Sequence, residues 1–448
     1  MTKDLTSGKP SSVLWTFSMP MFVSVIFQQI YTIADSVIAG KYAGHNALAE
    51  VGASYPITMI FMAIAIGSNV GCSVIISNLF GQKDMAKMKT AIFTSLIASF
   101  VLSIILAAAG VALSGVFIDL LSTPAGIQKN AIAYLQIYIG GFIFLYVYNV
   151  VTGIFNSLGN SKTPLYLLIG SSIGNIVLDL LFTMVFHWGV PGVAWATFVA
   201  QGIACIVALL ILLFNLRQIK VSEKTTLFSR EMLVRIATIA VPSILQQSFV
   251  SVGNLFIQIL INKSGEDVIA GYSAAVKLNT FAITSFATLS NGISSYTAQN
   301  VGAEKYGRIK QGMRAGLVMV WSIAAVFFLI YFIFSEQLIS FFMSEETMNA
   351  SAVQTGVTFL RVVTPFYFAV SIKLLADGVL RGTSSMKYFM ITTFTDLILR
   401  VGLAYVFFPI WAVMGIWYSW PFGWLVGMVL SIAFYFIVVK GLTEKKIS

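Results

Sequence analysis

Long apolar stretches separated by short polar breaks dominate the chain. Each stretch is long enough to cross the hydrocarbon core of a bilayer as a helix, which takes about 20 residues. Several are longer than about 25 residues, so we expect tilted helices or helices that continue beyond the lipid. The pattern predicts twelve membrane-spanning helices, at residues 13–38, 48–80, 90–116, 129–157, 164–186, 190–215, 234–261, 269–299, 312–335, 352–379, 387–408 and 411–440.

Similar proline, glycine and loop motifs recur on both sides of the longest polar connection, residues 215–235. A near-constant offset predicts a duplicated six-helix unit. Because six is even, both copies enter the membrane from the same side. We therefore predict two parallel six-helix bundles related by a pseudo-two-fold axis along the membrane normal. The matching pairs are Pro20 with Pro242, Gly81 in NLFGQKD with Gly302 in QNVGAEK, Gly159 in SLGNSKTP with Gly382 in LRGTSSMK, and GVAWA (192–196) with GIWYS (415–419).

The duplication predicts an N-terminal lobe at residues 1–216, a cytoplasmic linker at 217–233 and a C-terminal lobe at 234–448. Two such bundles leave a cleft between them, and rocking one against the other gives alternating access. The sequence contains no Walker A or HExxH motif. An ion gradient or the substrate's own gradient must then drive the protein, and we expect no enzymatic activity.

Composition and charge agree with this topology. Apolar residues make up 58% of the chain and charged residues 10%, with a mean hydropathy of +0.89, whereas a soluble domain carries about 25% charged residues. Basic residues gather on one side, which predicts that both termini are cytoplasmic in a plasma-membrane protein. This asymmetry explains the net charge of +10 without a nucleic-acid partner. The basic side holds Lys3, Lys9, Lys83, Lys87, Lys89, Lys162, Arg217, Lys220, Lys224, Arg230, Arg235, Lys305, Arg308, Lys310, Arg314, Arg381, Lys387, Lys440, Lys445 and Lys446, and the other side only Lys41, Lys129 and Lys263.

Ionisable residues inside a membrane span are functional candidates by default. More than two residues inside the span ends, the first half contains only two charged residues, Asp35 and Asp179, and both fall in the outer half of the membrane. Asn175 precedes Asp179 by four residues and shares its helix face, and Thr197 lies at a similar depth. Two acids, an amide and a hydroxyl suit a proton site or a hard cation such as sodium. We expect no other metal and no cofactor.

The second copy lacks both acids, since Asp35 corresponds to Phe256 or Ile257 and Asp179 to Gly402. The fold therefore does not require them. Six other charges lie in the spans of the second half. We interpret the charges spaced by four residues as intrahelical ion pairs that lower the cost of burial. Alternatively, these charges line the central cleft or form a gate. The six are Lys277, Arg361, Lys373, Asp377, Asp396 and Arg400, with the pairs Lys373–Asp377 and Asp396–Arg400.

Other residues carry weaker signals. Pro20 and Pro242 fall inside predicted helices, where each removes a backbone hydrogen bond and favours a bend, so we predict helix hinges there. His45 and His187 fall near helix ends, where we expect solvated side chains. The two cysteines lie in apolar runs and predict neither a disulfide framework nor a metal site.

The chain resembles the multidrug and toxic compound extrusion (MATE) family along nearly its whole length. The resemblance rests on SMPMFVSVIFQQIYTIADSVIAGKYAGHNALAEVG, GQKD, GIFNSLGNSKTP and LRGTSSMK. In the fifth predicted helix, the pair of Asn175 and Asp179 resembles the pattern of the DinF-like branch of this family. That resemblance implies a cation site formed by Asp35, Asn175, Asp179 and Thr197. NorM-like members of the family place further acids in the seventh and tenth helices, in the second lobe. Here Asn254 or Phe256 occupies that region of the seventh predicted helix, and Asp377 in the tenth lies nearer the cytoplasmic end than the NorM-like pattern. The resemblance therefore does not imply a second-lobe cation site.

These observations predict a cation-coupled multidrug efflux antiporter that uses protons, or alternatively sodium. It would export amphipathic, often cationic organic compounds by alternating access, as a monomer with small-molecule substrates. A lipid-linked oligosaccharide flippase of the same superfamily is the alternative, because the second-half cations could line a hydrophilic cavity. An intramembrane enzyme built on the acid pair is disfavoured, since the repeat extends over the whole chain.

Overall fold

We analysed a computed structural model of the chain, which describes residues 3–42, 47–121, 123–219, 221, 225–343 and 348–444, with the side chains of residues 40, 41 and 48 excepted. Every regular element in these ranges is helical. His45, Lys220, Lys224, Lys445 and Lys446, considered above, lie outside the described residues.

Helices fill the first half of the chain. The fourth membrane span is broken, because α4 and α5 meet at Gly141 with a bend of 43°. A short π-helical segment follows α6, at Leu181–Val185. The helices are α1 (Pro10–Tyr42), α2 (Ala47–Gly81), α3 (Met85–Leu120), α4 (Ala125–Gly140), α5 (Phe142–Ser157), α6 (Lys162–Leu180) and α7 (Gly189–Gln218).

The second half repeats this order. Its fourth span is broken by a 3₁₀ turn at Thr364–Phe366, where Pro365 lacks the amide hydrogen that a continuous helix needs. The helices are α8 (Arg230–Asn262), α9 (Glu266–Gly302), α10 (Tyr306–Ile333), α11 (Ser335–Phe342), α12 (Ala350–Val363), α13 (Tyr367–Gly382), α14 (Met386–Trp411) and α15 (Val413–Glu444).

The predicted all-α membrane fold is confirmed. Each predicted span coincides with one helix or one broken helix. Among the described residues, ten helices are long and apolar enough to cross a membrane, and the bent α4–α5 pair makes eleven. The remaining predicted span, 269–299, is the 37-residue helix α9, whose many serine, threonine and asparagine residues lower its hydropathy.

The repeat is visible in the turns as well as in the helix order. Lys83 after α2 and Glu304 after α9 both have a left-handed backbone, with φ of 61° and 55°. Gly159 after α5 and Ser384 after α13 also have a left-handed backbone, with φ of 75° and 59°. Each turn caps the preceding helix with backbone hydrogen bonds to its last carbonyls. The turn geometry is therefore the same in both halves, but the residue at the left-handed position differs. Ser384, and not Gly382, occupies the position equivalent to Gly159.

The chain forms two compact units. The first comprises Met1–Asp4 and Met19–Ser248, and the second comprises Leu5–Ser18 and Phe249–Ser448. Both boundaries fall inside continuous helices, α1 and α8. The division therefore differs from the predicted one at residues 217–233, because each of these two helices contributes to both units. Pro20 and Pro242 lie inside these same helices, and the hinges remain a prediction.

The segment before α1 packs within the second unit on the turn between α9 and α10. Leu5 is fully buried, and its backbone N–H donates to Oε1 of Gln299 at 2.9 Å. Arg308 donates through Nη1 to the carbonyl of Gly8 at 2.9 Å, and through Nη2 to the carbonyls of Leu5 and Ser7 at 3.4 Å. A basic side chain thus holds the backbone of this segment, independent of the side chains that the segment carries.

Candidate functional site

Asp35 lies on α1, in the part of that helix that belongs to the first unit. Its side chain is half-buried. Among the described residues, its Oδ1 atom is buried without a hydrogen-bond partner. A buried carboxyl oxygen that accepts no hydrogen bond destabilises the folded protein. This cost makes Asp35 a candidate for a functional residue.

Asp179 and Asn175 lie one turn apart near the end of α6. Asp179 is 0% exposed and Asn175 is 3% exposed. With the amide oriented to satisfy both of its ends, its nitrogen donates to Oδ2 of Asp179 at 2.8 Å and its oxygen accepts from the backbone N–H of Thr197 at 3.1 Å. The amide therefore joins α6 to α7 and fixes the Asp179 carboxyl group.

The backbone departs from regular α-helix directly after Asp179. The π-helical segment begins two residues later, and the Phe186 N–H reaches the carbonyl of Leu181 at 3.0 Å. The hydroxyl of Thr183 donates to the Asp179 carbonyl at 2.6 Å, which satisfies a carbonyl near the change in helical pitch. Single-turn π segments frequently occur at functional sites.

The side chains of Asp35 and Asp179 lie within hydrogen-bond reach of each other. A carboxylate only accepts hydrogen bonds, so a bond between two carboxyl groups requires a proton on one of them. Within the side chains that the structure describes, neither acid forms an ion pair. The geometry thus offers two acids that can share one proton, or jointly bind a cation.

Thr197 lies on α7, near the tight turn that precedes this helix. Its hydroxyl donates to the carbonyl of Val193 at 3.2 Å and lies 3.5 Å from the Asn175 amide group. The Tyr31 side chain lies within hydrogen-bond reach of it. The four residues proposed from the sequence are therefore brought together in the first unit, on three helices.

Tyrosines complete this site, and the sequence did not single them out. Tyr134 lies within electrostatic reach of both acids. It stacks on Tyr138, with ring centroids 6.1 Å apart and planes at 20°. Tyr31 precedes Asp35 by four residues and so shares its helix face, which is the signal that could have found it. No comparable signal marks the tyrosines of α4 among so many aromatic residues.

The buried charges of the second unit form one cluster. Lys373 lies 3.1 Å from Asp377 on the same helix and 3.3 Å from Asp396 on α14. The predicted pair of Asp396 with Arg400 is wrong in the described structure. Arg400 instead stacks on the ring of Trp420, 4.5 Å from its centroid, because a closer cation is available to Asp396 on the neighbouring helix.

The two remaining charges lie apart from this cluster. Lys277 on α9 and Arg361 on α12 are both exposed. Among the described residues, neither forms an ion pair. Their predicted role at a cleft or gate stays a prediction. His187 is exposed in the turn before α7, with φ of 55°.

Two repeated sets of long apolar helices, with an acid pair in the first unit, define the class of the protein as a multi-pass membrane protein. The sequence profile of the family described as MatE matches residues 20–181 and 242–406, one match in each half. The chain belongs to the MatE family.

Several known proteins are similar to this chain. It is 24% identical over 451 residues to "Probable multidrug resistance protein YoeA" of Bacillus subtilis (strain 168), covering 97% of this chain and 96% of that protein. It is 27% identical over 389 residues to "Probable multidrug resistance protein YpnP" of the same organism, covering 86% and 85%. The solved structure of a MOP superfamily transporter from Pyrococcus furiosus has the same fold, with a TM-score of 0.92 at 22% identity over 99% of each chain.

Family membership confirms the resemblance drawn from the sequence motifs, and with it the transporter class. The DinF-like branch stays a prediction.

Proposed function

We propose that the protein is a multidrug efflux antiporter that couples export to proton uptake at Asp35 and Asp179. Its substrates are small, amphipathic and often cationic organic compounds. The similarity to proteins named for multidrug resistance supports this substrate class. The basic loops support a plasma-membrane location with both termini cytoplasmic.

The observation that carries the coupling is the contact between the two carboxyl groups. A proton shared between them neutralises a charge that would otherwise be buried, whereas removal of the proton leaves two like charges side by side. The protonated and deprotonated states therefore favour different arrangements of α1 and α6. A transporter needs such a difference, because a ligand shifts a conformational equilibrium only through unequal affinity for its two states.

Coupling follows from this difference. A proton that binds from the outside favours the state that releases substrate outward, and substrate binding from the cytoplasm favours proton release. These two effects must be equal in free energy, because linkage between two ligands is reciprocal. Sodium could act at the same oxygen atoms, and the experiment below separates the two ions.

The test is dye efflux from energised membrane vesicles, with proton and sodium gradients imposed one at a time. We expect the proton gradient alone to drive efflux, and Asp35→Asn to abolish it while the protein still reaches the membrane. Asp119→Asn is the matched control, because Asp119 is an exposed acid near the end of α3, outside the site. Full efflux by Asp35→Asn would refute the coupling role, and efflux driven only by sodium would replace the proton.

A further inference from the structure

An ammonium group lies between two carboxylates inside the second unit. Nζ of Lys373 is 3.1 Å from Oδ2 of Asp377 and 3.3 Å from Oδ2 of Asp396. The exposed fractions are 4% for Lys373, 2% for Asp377 and 14% for Asp396. Carboxylate oxygens are also the ligands that hard metal cations prefer, and here the cation is an ammonium group tethered to α13.

The Asp377 carboxylate is positioned by groups other than the lysine. Oδ1 of Asp377 accepts from the hydroxyls of Thr392 at 3.0 Å and Ser431 at 2.7 Å. These bonds leave Oδ2 directed at the ammonium. Oδ1 of Asp396 is buried and has no hydrogen-bond partner among the described residues. Asp377 is therefore held independently of Lys373, and Asp396 has one oxygen to spare.

Close packing limits what could replace the ammonium. A Cβ atom on Gly427 of α15 would lie 3.2 Å from Cβ of Asp396 and 3.3 Å from Cε of Lys373. Arg381 and Arg400 lie within electrostatic reach of Asp377 and Asp396 respectively. The two guanidinium groups disfavour a divalent ion, since they already offset part of the negative charge. A compact monovalent cation is the ligand that this space and charge would accept.

We infer that Lys373 is the resident cation of the second unit, filling a two-carboxylate site that would bind a small monovalent cation such as sodium in its absence. The first unit contrasts with this arrangement, because its acid pair has no described cationic partner. In the natural protein, this site of the second unit is then closed to free ions. This inference goes beyond the proposed function and does not rest on it.

The test measures sodium binding to the purified full-length protein in detergent, in an Asp35→Asn background that disables the first site. Melting temperatures are compared in sodium chloride and in N-methylglucamine chloride at equal ionic strength. We expect sodium to raise the Tm of Lys373→Met by at least about 3 °C, with saturation at high concentration, because binding to the folded state alone stabilises it. The Asp35→Asn parent, which keeps Lys373, should show no such difference.

The double variant Lys373→Met/Asp377→Asn is the matched control, and it should lose the sodium response. Equal Tm values for Lys373→Met in the two salts would overturn the inference, since a proton would then have replaced the lysine. A response that survives Asp377→Asn would overturn it as well. If Lys373→Met folds only in sodium, the inference is supported. If it folds in neither salt, the same comparison is made with Lys373→Gln, where a sodium-dependent rise in Tm supports the inference and equal Tm values overturn it.

Discussion

Asn175 and Asp179 are joined across one turn of α6 by a hydrogen bond of 2.8 Å, in which the amide nitrogen donates to Oδ2. The other end of the amide accepts the Thr197 backbone N–H. Because both ends are occupied, the amide cannot rotate without losing a bond at each helix. The Asp179 carboxyl group is therefore held in one orientation, with Oδ1 free of any described hydrogen-bond donor.

We predict that Asn175→Ala lowers proton-driven dye efflux by about tenfold or more. A hydrogen bond to a charged group contributes about 1.5–3 kcal/mol, and its loss also frees the carboxyl group to rotate. Initial rates in vesicles at a fixed proton gradient provide the measurement. Ser171→Ala on the same helix is the control, because within the described part of the chain that hydroxyl bonds only to the carbonyl of Leu168. Equal rates in the two variants would count against a positioning role for Asn175.

The acid pair could be predicted from the sequence because charge inside a membrane span is rare. Asp35 and Asp179 are the only acids that lie more than two residues inside the ends of the predicted first-half spans, and the repeat removes a purely structural explanation for them. The tyrosines around them could not be predicted, since the chain contains 17 tyrosines and 36 phenylalanines. An aromatic ring costs nothing to place in lipid, and its presence therefore carries little information about function.

Gly423 of α15 packs directly against α14, and we predict that Gly423→Ala destabilises the protein by about 1–3 kcal/mol. An added Cβ would lie 2.7 Å from Oδ1 of Asp396 and 2.9 Å from its backbone carbonyl oxygen. The backbone contact cannot be relieved by a change of rotamer. Thermal unfolding in detergent provides the measurement.

Gly402→Ala on α14 is the control for this substitution. No atom lies within 4 Å of the position that its Cβ would occupy, and alanine favours a helix over glycine by about 1 kcal/mol. We therefore expect Gly402→Ala to be neutral or stabilising. Equal Tm losses for the two variants would show that helix flexibility, and not the contact with Asp396, sets the cost.

Contacts between neighbouring helices explain why sequence spacing could not predict all the ion pairs of the second half. Residues four apart on one helix are neighbours, which correctly pairs Lys373 with Asp377. Spacing along one helix does not reveal a closer partner on another, and so it wrongly pairs Asp396 with Arg400. Similarly, apolar runs locate helices but not which bundle each joins, so the boundaries inside α1 and α8 could not be predicted.

Asp84, in the turn before α3, provides a pH-dependent contribution to stability. Its side chain caps this helix by accepting the Lys87 N–H at 3.0 Å, and it pairs with the Lys87 ammonium at 3.0 Å. Burial alone would raise the pKa of Asp84, but the hydrogen bonds and charge of Lys87 hold that pKa below its ordinary value of 3.8. A depressed pKa stabilises the folded state above the unfolded value, and this contribution is lost as the pH falls through the folded value.

We therefore predict that Asp84→Ala lowers the free energy of unfolding by about 1 kcal/mol at pH 6, and by less below about pH 4. Thermal unfolding at pH 6 and pH 3 measures the difference. Asp84→Asn isolates the ion pair, because asparagine caps a helix as well as aspartate does. Lys87 is 61% exposed, so we expect only a small loss in that variant. A penalty for Asp84→Ala that does not change with pH would contradict this assignment.

Arg308 holds the segment that leads into α1, and we predict that Arg308→Ala releases this segment from the second unit. The substitution removes the Arg308 donors to the carbonyls of Leu5, Ser7 and Gly8, although Asn300 still donates to the Leu5 carbonyl. Amide hydrogen exchange over residues 5–8 should accelerate by about tenfold or more, because local opening then costs correspondingly less free energy. Arg314→Ala is the control, since Arg314 is an exposed arginine on the same helix. Unchanged exchange over residues 5–8 would show that the bonds of Gln299, Asn300 and Lys305 hold the segment without Arg308.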